Sequence, residues 1–202
     1  MNMNRSMVMI SIFVATFLAA AESSIVTTAM PKIVGSLQGI ELMNGVFTVY
    51  LLASTVTVLI FGKLSDLYGR KLIFAVGPAI FLIGSALCGL AQTMEQLIAF
   101  RLVQGIGAGA ILPVTQTIIA DIYPSEDKRA QMIGLTAFVW GGSGVIGPLL
   151  GGFFVDYVSW HWIFFFNIPF GLAAILLMVM FPKRRLRKAK KQLITGASLP
   201  SP

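Results

Sequence analysis

Six long apolar runs alternate with short polar segments along the chain, and that pattern predicts a bundle of membrane-crossing helices. The runs cover residues 7–30, 45–61, 72–91, 97–122, 133–155 and 162–181. About 20 apolar residues span a hydrocarbon core of about 30 Å as a helix. A helix is also the one single-segment structure that satisfies its own backbone hydrogen bonds in lipid. Core helices of a soluble protein would be shorter and would carry more polar surface. Pro31 is expected to end the first helix. The residues before it, 1–6, are too few for a signal-peptide leader, and the first run is too long for a signal core, so it reads as a permanent helix.

Composition reinforces this reading. Only 11% of the 202 residues are charged, against about 25% in a typical soluble domain. Thirteen of the fifteen Lys and Arg residues fall on one side of the predicted helices. They are Arg5, Lys63, Arg70, Lys71, Lys128 and Arg129, with seven more in the tail from Lys183 to Lys191. Lys32 stands alone on the other side, and Arg101 lies inside a span. The positive-inside rule then places both ends in the cytoplasm of a multi-pass cell-membrane protein. The basic tail suits an anionic lipid surface; topology explains its charge more simply than a nucleic-acid partner does. Cys88 lies mid-span and reads as a small apolar filler, and His161 sits between Trp160 and Trp162 where aromatic belts form. The sequence presents no metal-ligand cluster, phosphate-cradling loop or nucleophile–base pair, which points away from an enzyme and calls for no cofactor.

Small residues recur with helical spacing. Ser143, Gly147 and Gly151 line one face of the fifth helix, and Gly105 and Gly109 repeat the device in the fourth. Such stripes let helix backbones approach closely in lipid. Generic packing accounts for them as well as function does. Pro148 removes a backbone donor and is expected to kink the fifth helix. In the loop after the second helix, Gly62 and Gly69 allow a tight turn. Asp66 is placed to offset Arg70 at the entry to the third helix, where an acid is favoured by the macrodipole.

Two ionisable residues lie within spans, Glu22 and Arg101. A charge at a helix centre costs at least about 2.5–3.5 kcal/mol, so such residues usually face a partner or a cavity. Glu22 is nine residues before Pro31, and Arg101 is six after Glu95. At about 1.5 Å per residue the two reach comparable depth. They are expected to form a pair or to address one water-filled cavity.

The segment Gly62-Lys63-Leu64-Ser65-Asp66-Leu67-Tyr68-Gly69-Arg70-Lys71 resembles the signature loop of the major facilitator superfamily, Gly-x-x-x-Asp-x-x-Gly-Arg-Arg/Lys. The run from Arg101 to Ala108 resembles that superfamily's fourth-helix motif. Gly147-Pro148-Leu149-Leu150-Gly151-Gly152 resembles its antiporter motif, with Ser143 in place of a leading glycine. The stretch from Trp160 to Gly171 resembles the sixth helix of the fourteen-helix drug–proton antiporter family, with His161 where Arg is common. Ala21-Glu22-Ser23-Ser24-Ile25-Val26 is similar to that family's Leu-Asp-x-Thr-Ile-Val.

The resemblance implies an all-α membrane protein, a six-transmembrane-helix bundle forming one half of a major facilitator fold with a 3+3 inverted repeat. It implies a proton-coupled multidrug efflux antiporter in which Glu22 carries the coupling proton and Arg101 stabilises its charge; a static structural ion pair is the alternative. It implies that Asp121 joins Asp66 and Arg70 in a cytoplasmic charge network, although helix-end solvation explains Asp121 equally well. Small lipophilic substrates, cations among them, are the implied cargo. Phe47 and Tyr50 would suit them, though core packing is the simpler role for both. The expected organisation is a transporter half over residues 1–182 and a basic tail over 183–202. The tail reads as the start of a truncated linker to a missing second half, which leaves the chain inactive alone. Pairing with a parallel copy is topologically allowed. A sugar or metabolite porter, or a non-transporting fragment that binds a full-length relative, are the alternatives.

Overall fold

The computed structural model describes residues 3–180, so the predicted basic tail over 183–202 and the last position of the sixth apolar run lie outside the described residues. The spans are α1 (Met3–Leu37), α2 (Met43–Tyr68), α3 (Arg70–Gly89), α4 (Met94–Ile122) and α5 (Glu126–Tyr157). The sixth span is divided into α6 (Trp162–Phe165) and α7 (Asn167–Val179). All six are long and apolar enough to cross a membrane, and no strand occurs among the described residues.

Several helices outrun their apolar cores because polar caps extend them. Thr93 caps α4, its side chain accepting from the Gln96 amide at 3.3 Å while the Gln96 side chain accepts from the Gln92 amide at 3.0 Å. These two caps, one on the Gln96 amide and one on the amide before the N-cap, start the helix ahead of its first buried leucine. Glu126 and Asp127 occupy the first turn of α5, where the helix dipole favours acids.

Pro31 does not end α1, contrary to the expectation from sequence; the helix continues to Leu37. A proline removes one hydrogen bond, and burial outweighs that loss here. Met30 and Ile33 are buried in the cluster around Leu97 and Ile163, and the Trp160 indole donates to Ser36 Oγ at 3.0 Å. Pro78, Pro113 and Pro148 likewise lie inside helices. The turn between α2 and α3 also differs from expectation. Gly62 is helical, and only Gly69, at φ 96°, makes the turn.

Contacts between helices follow an internal two-fold pattern. α1 packs on α5 and on α7, α4 packs on α2 and on α3, α1 touches α4, and α3 touches α7. Exchanging the first three spans for the last three maps this set of contacts onto itself, as an inverted repeat requires. One apolar cluster, around Val8, Ile12, Phe74 and Ile118, fills the end that carries Arg5, Arg70 and Lys71. A second, around Ile25, Leu97 and Phe164, fills the opposite end.

Small residues set the helix spacing. A Cβ at Gly105 would lie 2.6 Å from the Tyr50 carbonyl oxygen, and one at Gly151 would lie 2.9 Å from that of Ile25. Thus α4 meets α2, and α5 meets α1, nearly backbone to backbone, which is how lipid-embedded helices gain packing energy. Gly105→Leu should destabilise the bundle by about 2–3 kcal/mol through overpacking. Gly134→Ala, where the added methyl meets open space in a helix interior, should cost nothing and raise stability by up to about 1 kcal/mol. Reversible unfolding in mixed micelles measures both.

Candidate functional site

Between the two apolar clusters lies a closed polar cluster drawn from five helices. Glu22 of α1 and Arg101 of α4 are both fully buried, and Arg101 Nη1 donates to Glu22 Oε1 at 2.7 Å. The same Nη1 donates to Gln104 Oε1 at 2.8 Å. Gln104 Nε2 returns to Glu22 Oε1 at 2.9 Å, closing a three-residue ring. Arg101 and Gln104 are three residues apart, which puts both on one face of α4. The other carboxylate oxygen, Oε2, accepts from Asn167 Nδ2 of α7 at 2.6 Å. Asn167 also donates to Ser85 Oγ of α3 at 2.9 Å, and Ser85 donates to the Phe164 carbonyl at 2.8 Å. The Cys88 thiol reaches Gln104 Oε1 at 3.6 Å.

Arg101 completes its surroundings with an aromatic face. Its Cζ stands 4.1 Å from the centroid of the Tyr50 ring, while Nε and Nη2 have no hydrogen-bond acceptor. A desolvated guanidinium on an aromatic face is held by about 2 kcal/mol or more. The ring therefore supplies part of what missing acceptors do not. Of the two arrangements open from sequence, the structure has the pair.

At the end carrying Arg5, a second charged group ties the α2–α3 turn to α4. Arg70 Nη1 pairs with Asp121 Oδ1 and donates to the Thr117 carbonyl at 3.0 Å. Asp66 is 3.7 Å from Arg70 Nη2 and largely exposed. Asp66 also lies in the last turn of α2, not in the first turn of α3, so the expected macrodipole benefit does not apply. Asp121, on the neighbouring helix, is the closer partner. Lys71 Nζ donates to the Val179 carbonyl at 2.5 Å, joining the turn to the end of α7.

The fifth-helix stripe behaves as a packing face. Ser143, Gly147 and Gly151 are buried, and a Cβ at Gly147 would lie 2.7 Å from that of Ser24. Pro148 is exposed and Gly152 faces open space. A wholly apolar crevice of about 280 Å³ opens between α1, α5 and the sixth span, lined by Phe13, Val14, Phe17, Leu18, Val139, Phe166 and Phe170.

Residues 12–200 match the family model described as Major Facilitator Superfamily. The chain belongs to that superfamily. It is 43% identical over 192 residues to multidrug resistance protein 3 of Bacillus subtilis (strain 168), covering 95% of this chain and 37% of that protein. It is 42% identical over 172 residues to the multidrug transporter protein MdtP of the same strain, covering 85% of this chain and 32% of that one. The chain thus spans about a third of the length of these curated relatives. Among solved structures, the fold is similar to a bacterial homologue of the human lysosomal transporter Spinster in an inward-facing, unoccupied conformation. The TM-score is 0.74 at 22% identity, covering 91% of this chain and 45% of that one. The proton:xylose symporter XylE gives a TM-score of 0.75 at 12% identity, covering 93% and 49%. At such identities the likeness shows the fold: one six-helix half of a major facilitator.

Within this major facilitator half, Glu22, Arg101, Arg70 and Asp121 were legible as site candidates from the sequence, whereas Gln104, Asn167 and Ser85 were not, and Tyr50 was read as a core or substrate-facing aromatic rather than as the face beneath Arg101. The available signals were the Arg-x-x-Gln spacing on α4 and a lone amide in the aromatic run before Pro169. Tyr50→Leu should lower stability by about 2 kcal/mol through loss of the ring beneath Arg101. Tyr50→Phe keeps the ring and should stay within about 1 kcal/mol of the parent. Denaturant titration in micelles distinguishes the two outcomes.

Proposed function

We propose that these helices are the amino-terminal half of a proton-coupled multidrug efflux antiporter in the cell membrane, with Glu22 as the residue that binds and releases the coupling proton. The carrying observation is the fully buried carboxylate at the meeting of α1, α4 and α7, held by Arg101, Gln104 and Asn167. Intramembrane acids are costly and mark ion and proton pathways by default. Two named relatives are a multidrug resistance protein and a multidrug transporter, and the Gly147-Pro148-x-x-Gly151-Gly152 segment resembles the antiporter motif. Residues 1–182 are the transporter half, and the Lys and Arg residues among 183–202 carry the kind of charge that anionic lipid attracts. The Lys and Arg distribution favours both termini in the cytoplasm.

In this reading the ionised Glu22 holds α1 against α4 and α7 through three charge-assisted bonds. A proton on Glu22 removes the charge that Arg101 balances and weakens that junction. Conformations then redistribute according to how well each accommodates the neutral or charged acid. The Arg70–Asp121 pair, with Asp66 nearby, fastens the cytoplasmic end in one of those conformations. Lipophilic substrates, cations among them, would use apolar walls such as the crevice around Phe13, Phe17 and Phe170.

Transport in this fold takes place between two halves near the midplane, so the six helices alone are expected to be inactive. The open apolar face of α5, including Phe138 and Leu149, can meet either lipid or the helices of a partner. A parallel copy of the same helices is the second reading of that partner, and crosslinking in membranes separates it from a distinct second half. In everted vesicles holding these helices with a second half, Glu22→Gln should abolish efflux driven by a proton gradient while the protein still inserts. Undiminished proton-driven efflux by that variant would sink the proposal.

A further inference from the structure

The hydrogen-bond ladder of the sixth span is interrupted between α6 and α7, at Phe166, whose backbone stays helical at φ −56° and ψ −32°. The polar cluster reaches that interruption along a single chain of hydrogen bonds. Glu22 Oε2 accepts from Asn167 Nδ2, Asn167 Nδ2 also donates to Ser85 Oγ, and Ser85 Oγ donates to the Phe164 carbonyl. Glu22, Ser85 and Asn167 are each no more than 1% exposed, so water does not compete for these bonds. We infer that Asn167 is a positioning residue that reads the protonation state of Glu22 and passes it, through Ser85, to the break in the sixth span.

The inference follows from the division of labour between the two carboxylate oxygens. Oε1 is engaged by the cationic Arg101 and by Gln104, which repel an added proton on that oxygen. Oε2 faces only the neutral amide of Asn167. A single proton added to Glu22 therefore settles on Oε2 and adds a donor to an oxygen that had only accepted. Nδ2 is itself a donor and cannot receive that hydrogen. The amide accepts the new Oε2–H only by turning to present Oδ1. Ser85 Oγ then faces Oδ1 in place of the donor Nδ2, and its hydrogen can pass from the Phe164 carbonyl to that new acceptor. The remaining groups around Glu22 do not duplicate this function. Tyr50 presents its ring to Arg101, and Cys88 bonds Gln104.

This relay rests on the proposal that Glu22 changes protonation, and its test is separable from transport. The full chain in lipid vesicles is followed by hydrogen exchange over residues 162–170 at two pH values that bracket Glu22 titration. The Glu22 carboxyl band, identified by its loss in Glu22→Gln, reports that titration by infrared spectroscopy. After correction for chemical exchange rates, the unmodified chain should show a several-fold pH-dependent change in that segment. Asn167→Leu, close in volume and without a donor, should abolish the dependence while Glu22 still titrates. Ser85→Ala should do the same with the Asn167–Glu22 bond intact, which guards against a folding defect in the first variant. A pH dependence retained in both variants, or absent from the unmodified chain while Glu22 titrates, overturns the relay. A Glu22 band that never titrates overturns the relay together with the coupling role, whereas normal efflux by Glu22→Gln counts against the coupling role alone.

Discussion

A buried carboxylate facing a buried guanidinium is the constraint on which the rest of this bundle depends. Neither Glu22 nor Arg101 can be left alone in hydrocarbon, since removing one partner of such a pair costs about 3–5 kcal/mol. Their 2.7 Å contact therefore fixes the depth of α1 relative to α4. Gln104 and Asn167 supply further donors to the carboxylate, and Tyr50 supplies a face for the cation. In low dielectric every satisfied polar group helps to specify one arrangement; here both carboxylate oxygens are bonded, while Arg101 keeps two donors without acceptors. Here the cluster draws on five helices, so satisfying it sets the position of all of them.

Close packing makes that position attainable. α1 and α4 occupy equivalent places in the internal repeat, each bearing one half of the ion pair. α5 approaches α1 along Gly147 and Gly151, just as α2 approaches α4 along Gly105 and Gly109. The two approaches are equivalent under the repeat, and both use small residues spaced four apart. Packing at the flanks and charge at the centre thus act on the same pair of helices. The sixth span lies beside the pair and is bonded to it through Asn167 and Ser85, so it is held by the same central charges as α1 and α4.

Much of this was legible in the sequence because lipid makes the rules severe. Apolar run length gave the number of spans, and a charge inside a span had few options besides a partner. The match of depth between Glu22 and Arg101 followed from rise per residue alone. Helix ends were less legible. Pro31 read as a terminator because its missing donor is local information, whereas the burial of Ile33 and the Trp160–Ser36 bond that overrule it are tertiary. Spacing alone offered Asp66 as a partner of Arg70, and Asp121 entered only through the family resemblance, yet Asp121, on another helix, is closer in space. Asn167 was hidden for the same reason: one amide among aromatics has no periodic signature, and its importance comes from a contact 145 residues away.

The central claim is that Glu22 and Arg101 stabilise the bundle as a pair, and a double-mutant cycle tests it most directly. Reversible unfolding in mixed micelles would compare the parent with Glu22→Leu, Arg101→Leu and the double variant. Each single substitution should cost about 3–5 kcal/mol, and the double should cost at least about 2 kcal/mol less than their sum, because it leaves no uncompensated charge. Additive losses, with no coupling between the two sites, would contradict the account.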